Sequence, residues 1–398
     1  LFRSVALMRR LGTNPEAMFQ NWVDGLARKA RDRGDFGTSD RLSSEWNNRI
    51  LDVVTGKADI PANATLAKVL ATVRTAQSLS KLGGVVLSSL PDMTVNASML
   101  RWNGIGVFDA YAQQMRELLP QGAERRAVAE SLGVGIDHLL GNVAGRFQAE
   151  DGAIGALSSA ARVFYRINGL TYWTDAMKSA AGLMLSHNLA ARAGTPFDQL
   201  PRRLQVTLTR YGIDDAAWGK LAAERQVAAD GEHYILPVHM TDRALAERVQ
   251  TYITDQVREG MSEPTAGNRA FATMGTQRGT AAGETVRLLM QFKQFAITYM
   301  DRSIGRELFR DGLDAGGLAH LIVATTALGY LSMTLKDLAK GRSPRSPETG
   351  EDYRKLLMAA MVQGGGLGIY GDFLFGERNR VGGGIIATLA GPTAGTIE

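Results

Sequence analysis

Apolar residues return every three or four positions along almost the whole chain, while two-residue alternation is scarce. That periodicity lets one face of a helix be buried and leaves no room for an extensive sheet. Asn14-Pro15-Glu16 is an N-cap followed by proline at the first helical position. Met18, Trp22, Leu26 and Ala30 then fall on one face and are expected to pack inward. A second helix is expected from about Ser39 to Val54. A third starts near Ala64, with Leu66, Val69, Leu70, Val73, Ala76 and Leu79 as its stripe. The same period runs through about 95–117, 122–141, 150–192 and 199–210. Asp214-Asp215 heads a short helix carrying Trp218 and Leu221, and a further helix spans about Asp242 to Glu259. Tyr234 to Val238 is the best strand candidate, weakened by Pro237. The expected fold is all-α, an elongated multi-helix assembly ending in a Gly-rich apolar hairpin.

The spacing of breakers divides the chain into an N-terminal helical region at 1–110, a central one at 111–259 and a Gly-rich hinge at 260–283. Long apolar helices follow at 284–340 and a Pro/Gly-rich region at 341–398. In the hinge Gly260, Pro264, Gly267, Gly275, Gly279 and Gly283 sit among Thr and Ser. A long helix, apolar nearly all round, is expected from about Glu284 to Arg310. From Leu318 to Leu335 there is no formal charge if His320 is neutral, a run at the lower edge for a membrane span. His320, Thr325, Thr326, Ser332 and Thr334 weaken it. Arg342-Ser343-Pro344-Arg345-Ser346-Pro347 is a polar turn. A second apolar segment, Leu356 to Phe375, is interrupted by Gly364-Gly365-Gly366. Leu318, Leu321, Ile322, Leu328, Tyr330, Leu331 and Leu335 in the first segment are the candidate membrane or subunit-packing residues. Leu367, Ile369, Tyr370, Phe373 and Phe375 are their counterparts in the second. Whether this hairpin meets lipid, another subunit or only its own core stays open on the sequence.

Composition removes several chemistries. The 398 residues include 45 Lys plus Arg and 40 Asp plus Glu, so 45 − 40 gives a net charge of +5, too diffuse for a dedicated nucleic-acid surface. There is no cysteine, which excludes disulfides, a thiol nucleophile and Cys-ligated metals. Gly366-Leu367-Gly368-Ile369-Tyr370-Gly371 has the dinucleotide-loop spacing, but a helical stretch precedes it and too little chain follows, so it reads as close packing or a kink. His138, His187, His233, His239 and His320 include no pair with the i, i+4 spacing of a helical zinc site. Asp214-Asp215 and Glu351-Asp352 sit where helices begin, where negative charge suits the dipole. Glu130-Ser131 and Gly182-Leu183-Met184 approach the lytic-transglycosylase pattern, but their spacing is long and Leu185 replaces the expected glutamine. No catalytic, cofactor or metal residues are assigned. Leu1 and Glu398 read as the interior of a longer polypeptide.

Four stretches carry a resemblance. The first is Arg74-Thr75-Ala76-Gln77-Ser78-Leu79-Ser80-Lys81-Leu82-Gly83-Gly84 with Pro91-Asp92. The second is Tyr172-Trp173-Thr174-Asp175-Ala176-Met177-Lys178, with Ala193-Gly194, Tyr211-Gly212-Ile213 and Trp218. The third is Met290-Gln291-Phe292-Lys293-Gln294-Phe295. The fourth is Gly368-Ile369-Tyr370-Gly371-Asp372-Phe373-Leu374-Phe375, with Gly382-Gly383-Gly384 and Gly391-Pro392. In this order they resemble the large internal virion, or ejection, proteins of short-tailed bacteriophages and related prophage polyvalent proteins, over about residues 70–395.

The resemblance implies a structural part of a protein packed in the capsid interior or portal and tail region. Such a protein leaves through the tail and helps form a conduit for the genome across the host envelope. It implies partners as well: further copies of itself, other ejection or portal and tail proteins, the host membrane and passing DNA, with no cofactor and no small-molecule substrate. The absence of cysteine cross-links and the local character of helical contacts suit a chain that unfolds and refolds. An enzyme region, peptidoglycan-degrading or other, and a DNA-binding module are the competing expectations.

Overall fold

The computed structural model describes residues 7–9, 11–81, 85–119, 123–133, 163–228, 231–291 and 293–365. Among these the protein is all-α, with one two-stranded antiparallel pairing, β1 (Gln226–Val227) with β2 (His233–Tyr234). The predicted strand survives only as that fragment, because Pro237 has no N–H to donate and turns the chain into a 3₁₀ turn at Pro237–His239.

The N-terminal helices are α1 (Pro15–Asp32), α2 (Phe36–Leu42), α3 (Glu45–Thr55) and α4 (Ala64–Lys81). The Asn14 side chain caps α1 by accepting from the Ala17 N–H at 3.2 Å, as the Asn-Pro-Glu signal predicts. The expected inward stripe is corrected. Val23 and Ala27 are the buried residues, and Met18, Trp22 and Leu26 stand in solvent. One step along a helix is a rotation of about 100°, so a half-covered helix can bury the row next to the most apolar one. The single helix expected over 39–54 is two, because Ser44 and Asn47 turn their side chains onto the Arg41 and Leu42 carbonyls and end α2 there.

Next come α5 (Asp92–Trp102), α6 (Val107–Glu117), α7 (Ala123–Ser131), α8 (Leu170–Arg192), α9 (Arg202–Arg210) and α10 (Arg243–Gly260). They enclose the main core, where Leu100, Leu132, Leu185, Leu189, Leu204, Leu208, Tyr252 and Ile253 are fully buried. α5 is central: every residue of it except Arg101 is buried. Its polar residues are therefore bonded to neighbouring elements, as burial requires. Asn96 donates to the Met177 carbonyl of α8, and Asn103, just past α5, donates to Gln256 of α10 at 2.8 Å. Asp214 and Asp242 cap the helices they precede, in keeping with the dipole argument.

The remaining elements are α11 (Ala266–Thr273), α12 (Ala281–Met290), α13 (Lys293–Thr298), a π-helical turn at Tyr299–Ile304, α14 (Gly305–Phe309), α15 (Ala315–Ala339) and α16 (Gly350–Gly364). Two expectations change here. The stretch 260–283 holds α11, whose Thr265 and Asn268 form a reciprocal capping box. The long helix expected over 284–310 is broken at Gln291 and underwound by the π turn. Gln291 donates to the Arg74 carbonyl at 2.8 Å, which fixes that break against α4.

Candidate functional site

α15 and α16 pack as an antiparallel hairpin joined by the charged turn 340–349. The seam between them uses small residues. A Cβ on Gly364 would collide with the Thr325 carbonyl, and one on Gly329 with the Ala360 carbonyl, so only glycine lets these backbones approach. Ser332, Met333, Ala359, Ala360 and Gln363 complete the buried seam. The residues that make this run look weakly apolar are turned inward or satisfied. Thr325 donates to the Leu321 carbonyl at 2.6 Å and Thr326 to the Ile322 carbonyl at 2.7 Å, and Ser332 is fully buried.

Polar contacts fix the start of α15. Asp314 caps it by accepting from the Gly317 N–H, and pairs with Arg101 and with Arg203 at 2.6 Å. Partial burial works against ionisation of Asp314, but the Arg101 hydrogen bond, the Gly317 N–H and the two guanidinium charges prevail and bring it down to about 2. His320 faces the Tyr111 hydroxyl at 3.2 Å, and its pKa is lowered by burial and by Arg101. The imidazole is therefore neutral at pH 7, which meets the condition for Leu318–Leu335 to carry no charge.

Behind the hairpin lies a buried ion network. Arg306 bonds to Glu259 at 2.9 Å, to Glu307 at 3.2 Å and to Ser98 at 2.9 Å. Arg310 reaches Glu259, Arg302 reaches Asp255, and Trp102 donates its indole N–H to Glu307. Arg203 and Arg310 stack over the Trp102 ring at 5.0 and 5.8 Å. Burial would raise the Glu259 pKa, yet Arg306, Arg310 and Arg302 together hold it below the ordinary carboxylate value.

The outside of the hairpin is the opposite. On α15 Ile322, Val323, Tyr330, Leu331 and Leu338 are exposed, Val323 by 67%. On α16 Leu357, Met358 and Met361 are exposed, Met358 by 64%. Ala319, Val323, Ala327 and Leu331 make an uninterrupted i, i+4 row of exposed apolar residues. Near the turn, Lys340, Arg342 and Arg354 take part in no ion pair among the described residues, while Arg345 pairs with Asp337 and Lys355 with Glu351. By length and composition α15 suffices to cross a membrane, with a mean hydropathy of 1.5.

Of the candidate residues, Ile322, Tyr330 and Leu331 lie on the outward side. Leu321 is buried against Val95 and Tyr299, and Leu318, Leu328 and Leu335 are half-buried, Leu328 against the Met93–Trp173 cluster. Leu367, Ile369, Tyr370, Gly371, Asp372, Phe373, Phe375, Gly391 and Pro392 lie outside the described residues, as do Leu82, Gly83 and Phe292. Sequence reasoning missed Val323, Leu338, Leu357, Met358 and Met361. The i, i+4 row was the available signal. The resemblance-bearing stretches converge in part. Arg74 pairs with Glu284 at 2.6 Å while Gln291 holds its carbonyl, and half-buried Lys293 follows the break. Lys81 ends α4. Trp173 and Thr174 are buried on α8 with Asp175 half-buried beside them. Of the transglycosylase-like residues, Glu130-Ser131 end α7, while Gly182 and Leu183 are buried within α8.

Comparison with protein-family models, with curated proteins and with solved structures gave no match.

Proposed function

We propose that this chain is a non-enzymatic structural part of a bacteriophage internal virion or ejection protein, released through the tail, that helps build the conduit for genome delivery across the host envelope. The observation that carries the reading is the outward face of the α15–α16 hairpin, where Val323, Leu331, Leu357 and Met358 are left to solvent. Each such side chain forgoes about 1.5–3 kcal/mol of burial, so the face is built for company. Lys340, Arg342 and Arg354 at the turn, in no ion pair among the described residues, suit it to the headgroups of an anionic bilayer. The all-α architecture supports the same reading, since local helical contacts re-form rapidly after transit. Two measurements test it. Mass spectrometry of purified particles is expected to find the chain in the virion. Flotation is expected to carry the full chain up with vesicles containing anionic lipid. Absence from particles, or no flotation above a vesicle-free control, overturns the reading.

A further inference from the structure

A second feature stands apart from the hairpin. α6, α7, α8 and β2 enclose a half-open cleft of about 540 Å³, within the range of small-molecule sites. Its apolar part is Ile105, Leu183 and Met184, and its polar lining includes Arg125, His187 and Arg192.

Arg192 is the informative residue. Its Nε donates to the Asn188 side-chain oxygen at 2.9 Å and its Nη2 to the Gly104 carbonyl at 3.0 Å. Both acceptors are neutral, so the guanidinium is held in the cleft with no carboxylate on it among the described residues. Arg125 uses its Nε on Glu117, at 2.6 Å, and among the described residues its terminal nitrogens carry no side-chain partner. His187 is oriented too: its Nδ1 lies 3.1 Å from the His233 carbonyl, which can only accept, so Nδ1 donates and Nε2 is left for another partner. Glu232, 3.7 Å from His187 Nδ1, and Asp109 are the acidic members of the lining, against Arg116, Arg125 and Arg192. Glu117 already compensates Arg125, so Arg192 is the cation of the lining held by neutral acceptors among the described residues.

We propose that this cleft is a binding site for a small amphiphilic anion. A carboxylate or phosphate monoester is held by Arg192 and Arg125, and a short apolar body lies on Ile105, Leu183 and Met184. Guanidinium groups with spare N–H pairs bind both anions, and the apolar floor adds what inorganic phosphate lacks. The sequence reading expects no small-molecule substrate, and this site calls for a ligand rather than a reaction.

Titration calorimetry of the full chain tests it with four probes: octanoate, octyl phosphate, acetate and octanol. Octanoate and octyl phosphate are expected to bind, one or both, with acetate and octanol weaker by about tenfold or more. Arg192→Gln is expected to lose about tenfold for the anionic probes. Ala191→Phe, at the rim and with no side-chain hydrogen bond to lose, is expected to block the cleft without moving the melting temperature of the unliganded chain. Val323→Glu, on the hairpin, should bind octanoate like the parent chain. The inference is overturned if octanol binds as well as octanoate, if Ala191→Phe binds unchanged while folded, or if Val323→Glu alone abolishes binding. The last outcome would place the amphiphile on the hairpin, and it bears on this cleft without touching the particle test above.

Discussion

The region behind α15 and the region in front of it invert the usual distribution. Behind it, Arg306, Glu259 and Glu307 are buried with their charges, and in front Val323, Leu331 and Met358 stand in solvent. The buried side shows how charge survives in a low-dielectric interior: each guanidinium edge is met by a carboxylate or hydroxyl and each carboxylate by more than one donor. The exposed side has no such network because nothing within the described chain covers it. One side is complete and the other is unfinished. Perturbations should therefore act on stability behind the hairpin and on association in front of it.

The sharpest way to break that contrast is Arg306→Ala. It strands Glu259 and Glu307 in the core and should cost about 3–5 kcal/mol in urea unfolding, with the outward face chemically unchanged. Gly364→Val comes next. Its side chain meets the Thr325 carbonyl, so the hairpin must part, and a loss of about 1–3 kcal/mol is expected by the same measurement. Acid is milder. The folded-state pKa values of Asp314 and Glu259 are depressed, so their contribution is present above the unfolded-state values and is lost as pH falls through the folded ones. Thermal stability measured against pH should hold from neutrality downward and decline between about pH 4 and pH 2, with Asp314 reaching its own midpoint near 2. Smallest in stability is the paired change Val323→Glu and Leu331→Glu. It should leave unfolding within about 0.5 kcal/mol of the parent and remove vesicle flotation. Flotation that survives this pair would move the docking role off α15.

Much of the helical framework was legible beforehand, for local reasons. Asn14, Asp214 and Asp242 stand in front of periodic apolar runs and each heads a helix, and Glu351-Asp352 fall in the first turn of α16. What escaped depends on distant partners. The break at Gln291 exists because the Arg74 carbonyl, 217 residues away in the chain, takes its amide. The ion network was invisible for the same reason, since Glu259 and Arg306 are ordinary surface-type residues until α5, α10 and α14 come together. On α1 the more apolar row proved the exposed one: Val23 and Ala27 are buried and Trp22 is not. The outward apolar face was half legible. The uncharged run marked α15, but periodicity alone could not say that Leu321 turns in while Val323 turns out.

The π-helical turn at Tyr299–Ile304 has a consequence for the length of the chain. It holds one more residue per turn than an α-helix, and Arg306 and Glu307 follow directly after it. Removing one residue from the turn would let it close as ordinary α-helix, with Arg306 and Glu307 kept in phase with Glu259 and Ser98. Removing one residue from the α-helical stretch that follows would instead rotate what comes after it by about 100°. The turn is therefore the place in this helix where a change in residue number is expected to cost least.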